Sequence, residues 1–223
     1  QNQDNVSDAL VEIKQPVLNQ MAESLVVKHR LVTNLVDPCP GEKVELCYHG
    51  QIEITSPSDV ASTGWQLNYS QVYPTYLSKS DDLNLVHVNG DLHQITPSQS
   101  FKGFKAGETK VIDYWVASTL MQEFELMPNY FLTADGLKPK VIDSTRPGVD
   151  PETGLETLPY VVSFDDPIGH IRMNSKAKNE LATAGYLYRE NEGIDLDNDV
   201  VANRIIPTPK KVSIAKSGEL DLS

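Results

Sequence analysis

Short segments of this chain alternate between apolar and polar residues with a period of two. The clearest is residues 64–70, in which Trp65, Leu67 and Tyr69 alternate with polar residues. This period is typical of a β-strand that buries one face, so these three side chains are predicted to point into a core. Further segments are predicted strands on the same grounds: residues 25–31, 43–54, 83–95, 110–117, 130–134, 141–142 and 160–162.

Turn-forming residues separate the predicted strands at short intervals. Within residues 83–95, the pair Asn89-Gly90 lies between two short strands, which strongly indicates a β-hairpin. Strong helical periodicity is absent before about residue 173. Many short strands joined by turns favour a mainly β protein, and we expect an antiparallel β-sandwich over about residues 25–171.

Both ends of the chain depart from the strand pattern. The first 22 residues are polar and uneven, and they fit either a short helix or a loose arm. Residues 174–188 are rich in Ala, Lys, Glu and Leu, which favours a helix, and residues 191–203 are acidic and irregular, as in a linker. Four regions are therefore expected: an N-terminal arm at 1–22, the sandwich domain at 23–171, a helix and acidic linker at 172–203, and the truncated start of a following domain at 204–223.

Composition and charge exclude some classes of partner. The 223 residues carry a formal net charge of −12, whereas nucleic acids and anionic membrane surfaces require a basic binding surface. The chain has no apolar run of about 18 residues, so no membrane span is predicted. A neutral partner such as a glycan is compatible with this charge.

The only two cysteines, Cys39 and Cys47, lie close together. A zinc site needs about four ligands, and no Cys-x-x-Cys motif is present. A catalytic thiolate needs a basic partner, and His49 is the only local candidate. We therefore favour a disulfide, which implies an oxidising compartment and contributes roughly 2–3 kcal/mol of stability.

Asp91 and His93 form a possible acid–base or metal pair, because two residues apart on a strand they share one face. No third ligand is nearby in sequence. The favoured interpretation is structural, with Asp91 shaping the hairpin after Gly90 and His93 bonded to the backbone.

Two acidic runs have simpler explanations than catalysis or metal binding. Asp165 and Asp166 precede Pro167, where a turn is expected. Residues 195–199 resemble the opening of a calcium loop, but Val200 and Ile206 occupy the positions that require Gly and Glu. The residues themselves therefore predict no catalytic group, no metal site and no cofactor.

Three stretches of the sequence resemble one known family. They are, in chain order, residues 64–69 (GWQLNY); residues 86–93 (VHVNGDLH) with 101–108 (FKGFKAGE); and residues 114–115 (YW), 127–130 (MPNY) and 139–142 (PKVI). In order and spacing they resemble the N-terminal domain of bacterial chitobiases, which are β-N-acetylhexosaminidases of glycoside hydrolase family 20. Residues 205–209 (IIPTP) also resemble the start of the small α/β domain that precedes the catalytic barrel in that family.

The resemblance implies a β-sandwich related to cellulose-binding modules, in an exported enzyme of the periplasm, the outer-membrane surface or the medium. Enzymes of this family hydrolyse terminal N-acetylglucosamine with an Asp–Glu pair on a (β/α)8 barrel. That barrel would begin beyond Ser223, so no catalytic residue can be assigned to this chain. The expected function is that of a non-catalytic scaffold that docks on the catalytic barrel of the same polypeptide, and the alternative is a module that binds chitin or chito-oligosaccharides.

Trp115 is the candidate contact residue for either function. Ile112, Tyr114 and Val116 form the apolar set of their predicted strand, which places Trp115 on the opposite face together with Asp113. A ring on that face could meet another domain or stack on a sugar. We favour the interdomain contact, because modules that bind crystalline polysaccharide present several rings in a line.

Overall fold

Two antiparallel sheets pack face to face in the computed structural model, which describes residues 10–41, 44–152, 154–162, 188 and 190–193. The chain divides into two compact units, residues 1–183 and 184–223, and the sheets belong to the first. The predicted mainly β sandwich is confirmed. The predicted helix and following domain lie almost entirely outside the described residues.

The secondary-structure elements are, in chain order, β1 Val11–Glu12, α1 Gln15–Ser24, β2 Val26–Thr33, β3 Tyr48–Thr55, β4 Ser62–Thr63, β5 Trp65–Ser70, β6 Thr75–Lys79, β7 Leu83–Asn89, β8 Leu92–Pro97, β9 Thr109–Val116, β10 Phe131–Ala134, β11 Lys140–Val141, β12 Gly148–Val149 and β13 Glu156–Thr157. Two short 3-10 helices lie at Glu123–Glu125 and Asp143–Thr145. The four-stranded sheet has the order β2-β3-β9-β6, and the five-stranded sheet has the order β11-β10-β5-β8-β7.

The strands follow the alternation in the sequence. Trp65, Leu67 and Tyr69 are at most 1% exposed, as predicted, and β7 and β8 form the predicted hairpin. Strand β6 was not predicted, because its residues are half-buried on both faces and show no alternation. The predicted strand at 160–162 reduces to a single bridge between Val161 and His29.

Residues 1–22 were expected to form either a short helix or a loose arm, and the described part contains a short helix, α1. Strand β1 pairs in parallel with β4, and α1 buries Leu18, Met21 and Ala22 in the common core. These residues, together with buried Leu25, recur at the three- and four-residue spacing of one helix face. The helix belongs to the sandwich because that apolar stripe must be covered.

Cys39 and Cys47 form a disulfide with their Cα atoms 6.0 Å apart, so this prediction is confirmed. The sulfur of Cys47 is buried just before β3 begins. The bond therefore ties the loop that follows β2 to the start of the next strand.

A buried histidine joins the two sheets. His29 of β2 is fully buried, with Nδ1 2.5 Å from the hydroxyl of Tyr130 and Nε2 2.5 Å from the hydroxyl of Tyr114. Tyr114 belongs to β9 in the four-stranded sheet, whereas Tyr130 directly precedes β10 in the five-stranded sheet. Burial, with a smaller contribution from His93, lowers the pKa of His29 to about 3. The ring is therefore neutral, with one nitrogen donating and the other accepting.

The free energy of unfolding is expected to fall as the pH is lowered from about 7 to about 5. In the unfolded chain His29 takes up a proton below its ordinary pKa of about 6.5, whereas the folded protein keeps the ring neutral until about pH 3. The stabilisation that comes from keeping His29 neutral is fully present above about pH 6.5. Below that pH it is lost at about 1.4 kcal/mol per pH unit. Urea titrations at several pH values measure the slope.

A His29→Gln variant that folds should lose stability less steeply over the same pH range, because one titrating group is gone. If wild type and variant have the same slope, or if nuclear magnetic resonance shows the His29 ring protonated in the folded protein at pH 5, the neutral buried ring is refuted.

Gly50 makes room for the ring of Tyr114. The two residues lie opposite each other on β3 and β9, and a Cβ at Gly50 would come 2.2 Å from Cζ of Tyr114. Gly50→Ala is therefore expected to lower the free energy of unfolding by about 2–3 kcal/mol, because the ring must move and release His29. In a Tyr114→Leu background the same change should cost less, and additive costs in the double-mutant cycle would contradict this.

Candidate functional site

Trp115 lies on the outer face of the four-stranded sheet, as predicted, while Ile112, Tyr114 and Val116 are buried beneath it. In the sheet register Trp115 is opposite His49 of β3 on one side and Leu77 of β6 on the other. Asp113 is opposite Gln51 and Lys79. We call His49, Gln51, Lys79, Asp113 and Trp115 the Trp115 cluster.

Both faces of the Trp115 ring are covered. The His49 imidazole stacks on the indole with ring centroids 4.7 Å apart and planes 9° apart. That separation equals the spacing of neighbouring strands. The two rings therefore project from adjacent strands, perpendicular to the sheet, and stack face to face. Lys79 reaches the indole from the other side, with Nζ 5.3 Å from the ring centroid. The half-buried ring therefore has no open face of the kind on which a sugar stacks.

Asp113 holds the stacked histidine in place. Its Oδ1 accepts hydrogen bonds from His49 Nε2 at 2.8 Å and from Gln51 Nε2 at 3.1 Å. Since a carboxylate only accepts, the imidazole proton is on Nε2. The cluster is thus a fixed surface of mixed charge.

The Trp115 cluster contains one hydrogen-bonded pair of ionisable groups, His49 and Asp113. The His49–Asp113 pair has the form of an acid–base pair, but the cluster contains no hydroxyl or thiol nucleophile. In the part of the chain that the structure describes, no three His, Cys, Asp or Glu side chains are grouped to hold a metal ion.

His93 has the structural role that was favoured from the sequence. It is fully buried, its Nδ1 bonds the carbonyl oxygen of Asp91 at 3.0 Å, and its Nε2 accepts the backbone N–H of Thr75 at 3.1 Å. Burial is the main cause that lowers its pKa to about 4. His93, held by the Asp91 carbonyl, therefore fixes the β7–β8 hairpin to the first residue of β6.

The stretch at 101–108 is also structural. The rings of Phe101 and Phe104 lie 5.1 and 5.2 Å from Nζ of Lys110, which forms salt bridges with Asp82 and Glu108. Burial alone would lower the pKa of Lys110, but the hydrogen bonds to the two carboxylates outweigh it and raise the pKa. A buried cation held this way explains why the motif contains both Phe residues and Glu108.

His49 and Lys79 are the contact residues that sequence reasoning missed. Alternation in β3 places His49 on the outer face, which was visible in the sequence. Its stacking on Trp115 is not visible, because it depends on the register between β3 and β9, which sets residues 66 positions apart opposite each other. Lys79 lies at the end of the unpredicted β6.

Comparison with known proteins identifies the family. Residues 24–185 match the family model CHB_HEX, described as "Putative carbohydrate binding domain". The match covers most of the chain, so the chain belongs to this family, and the resemblance noted in the sequence is confirmed.

Curated relatives are named β-hexosaminidase and N,N'-diacetylchitobiase. The chain is 30% identical over 219 residues to a β-hexosaminidase of Vibrio vulnificus, a match that covers 95% of this chain and 25% of the relative. It is 26% identical over 228 residues to the N,N'-diacetylchitobiase of Vibrio harveyi, covering 96% of this chain and 24% of the relative. The chain thus spans about a quarter of the length of these relatives.

Among solved structures, the chain is similar to a GH20 exo-β-N-acetylglucosaminidase from Vibrio harveyi in complex with N-acetylglucosamine. The TM-score is 0.37 and the identity 12%, over 58% of this chain and 20% of that one. In the described residues, no helix has the length and apolar character needed to cross a membrane.

Removing His49 is expected to expose the indole. Trp65 is only 1% exposed, so of the two tryptophans Trp115 alone should respond. His49→Ala should shift the tryptophan emission to longer wavelength and increase quenching by acrylamide. His49→Phe is the matched control and should leave both near wild type, because a flat ring remains in the stack. If His49→Ala leaves emission and quenching unchanged, the stack does not protect Trp115.

Proposed function

We propose that this chain is a non-catalytic module of an exported β-N-acetylhexosaminidase, and that it packs on the rest of that protein through the Trp115 cluster. The relatives that it matches over nearly its whole length are named β-hexosaminidase and chitobiase, and they are about four times as long. The Asp–Glu pair of the family's barrel would lie in the remainder. The disulfide favours an oxidising compartment, such as the periplasm, the outer-membrane surface or the medium.

The observation that carries the docking role is the coverage of the Trp115 ring. Sugar platforms present an open aromatic face, whereas His49 and Lys79 occupy both faces of this indole. The exposed ring edge and the hydrogen-bonded polar groups around it form a rigid surface. Such a surface is complementary to another rigid protein surface, such as that of a neighbouring domain. In this proposal the sandwich leads through the segment at 172–203 into the small α/β domain expected from residue 204.

Carbohydrate binding is the second candidate function, and the family description favours it. The two functions make different predictions for Trp115. A docking residue stabilises the whole protein, whereas a sugar-binding residue determines retention on chitin.

Trp115→Ala is expected to lower the melting temperature of the full-length enzyme more than that of the 223-residue chain. Burying the exposed edge of the half-buried ring against another domain contributes on the order of 1 kcal/mol, which only the longer protein can gain. Differential scanning calorimetry of both proteins measures the two shifts. Retention of the 223-residue chain on insoluble chitin should not change.

Phe124→Ala is a matched control, since Phe124 is 66% exposed and lies outside both sheets. It should shift both melting temperatures equally. Equal shifts for Trp115→Ala in the two proteins would contradict docking, and loss of chitin retention in the 223-residue chain would favour sugar binding at Trp115.

A further inference from the structure

Among the described residues, the strands of the five-stranded sheet place no charged side chain on its outer face, although 22% of the residues in this chain are charged. The register of β7, β8, β5, β10 and β11 places on this face only uncharged side chains: Asn84, Val86, Val88, Leu92, Gln94, Thr96, Gln66, Asn68, Ser70, Phe131, Thr133 and Val141. The opposite face of the sandwich carries Lys28, Arg30, Glu53, Lys79 and Asp113. We call the uncharged face the amide face.

Four side chains at the centre of the amide face form a closed ring of hydrogen bonds. Gln94 Nε2 donates to Gln66 Oε1 and to Asn68 Oδ1, both at 3.1 Å. Asn68 Nδ2 donates to Thr133 Oγ1 at 3.0 Å, and Thr133 Oγ1 donates to Gln66 Oε1 at 3.1 Å. Three strands contribute to this ring, so the amides are fixed before any ligand arrives.

Two polar atoms of this ring are left over. Among the described residues, Nε2 of Gln66 and Oε1 of Gln94 have no protein hydrogen-bond partner. Neither atom is buried, so both are accessible to solvent. They therefore present a fixed donor and a fixed acceptor to the solvent. A hydroxyl or acetamido group, which both donates and accepts, matches this pair.

Apolar groups flank the amide ring on both sides. Phe131 of β10 is opposite Asn68, and Val86 of β7, which is 50% exposed, is opposite Gln94. The strand order β10-β5-β8-β7 sets these flanks three strand spacings apart, about 14 Å. Polar groups at the centre and apolar groups at the rim complement the hydroxyls and the C–H faces of a chain of sugars.

We propose that the amide face binds a neutral oligosaccharide. The described strands place no charged side chain on this face to pair with a charged ligand, and the net charge of −12 repels polyanions. Family membership as a carbohydrate-binding domain agrees with the ligand class but does not locate the site. The site is separate from the Trp115 cluster, and its existence does not depend on the docking role.

The test is calorimetric titration of the 223-residue chain with an uncharged N-acetylglucosamine oligomer. Gln66→Glu is the decisive variant, because it keeps an oxygen for Gln94 and Thr133 and replaces the ligand-facing donor by an acceptor. It is expected to weaken binding about ten-fold or more with little change in melting temperature. Gln99→Glu is the matched control: it adds the same charge in an exposed loop and should bind like wild type.

Absence of binding by the wild-type chain at millimolar oligomer, or equal binding by wild type and Gln66→Glu, would overturn the proposal. If Trp115→Ala loses binding and Gln66→Glu keeps it, the sugar binds at the Trp115 cluster on the opposite face. That result would also overturn the proposal. If Gln66→Glu lowers the melting temperature of the full-length enzyme and leaves oligomer binding intact, the amide face is an interdomain contact instead. Failure of docking at Trp115 has a separate readout and leaves this test unaffected.

Discussion

The hydrogen bonds of His29 to Tyr114 and Tyr130 are the interaction on which the sandwich depends. They lie fully inside the core and join one sheet to the other. Buried polar groups are costly unless each finds a partner, so these bonds fix both the spacing and the alignment of the sheets. That requirement explains three features: the neutrality of His29, the absence of a side chain at Gly50 and the position of Tyr130 just before β10.

With its core fixed in this way, the sandwich has two outer faces of opposite character. One carries charged and ion-paired side chains around a tryptophan whose ring is enclosed by His49 and Lys79. The other carries an uncharged ring of amides and hydroxyls between apolar flanks. A module that docks through the first face keeps the second available for a ligand, so packing on an enzyme and binding a sugar need not compete.

Local pattern was sufficient to predict part of this structure. The inward side of β5, the hairpin at Asn89-Gly90 and the outer position of Trp115 each depend on residues a few positions apart. The His29 network, the amide ring and the stack on Trp115 could not be predicted, because they join strands far apart in sequence and depend on register. Helix α1 is an intermediate case: its apolar spacing is visible at Leu18, Met21 and Ala22, but its short length and polar surroundings fit a loose arm equally well.

The central claim is that the two faces have different tasks. Backbone amide chemical shifts of the nitrogen-15-labelled chain, recorded while an N-acetylglucosamine oligomer is added, test it most directly. We expect shift changes at Gln66, Asn68, Gln94 and Thr133, with none at His49, Asp113 or Trp115. Changes concentrated around Trp115, or no saturable change on either face, would contradict it.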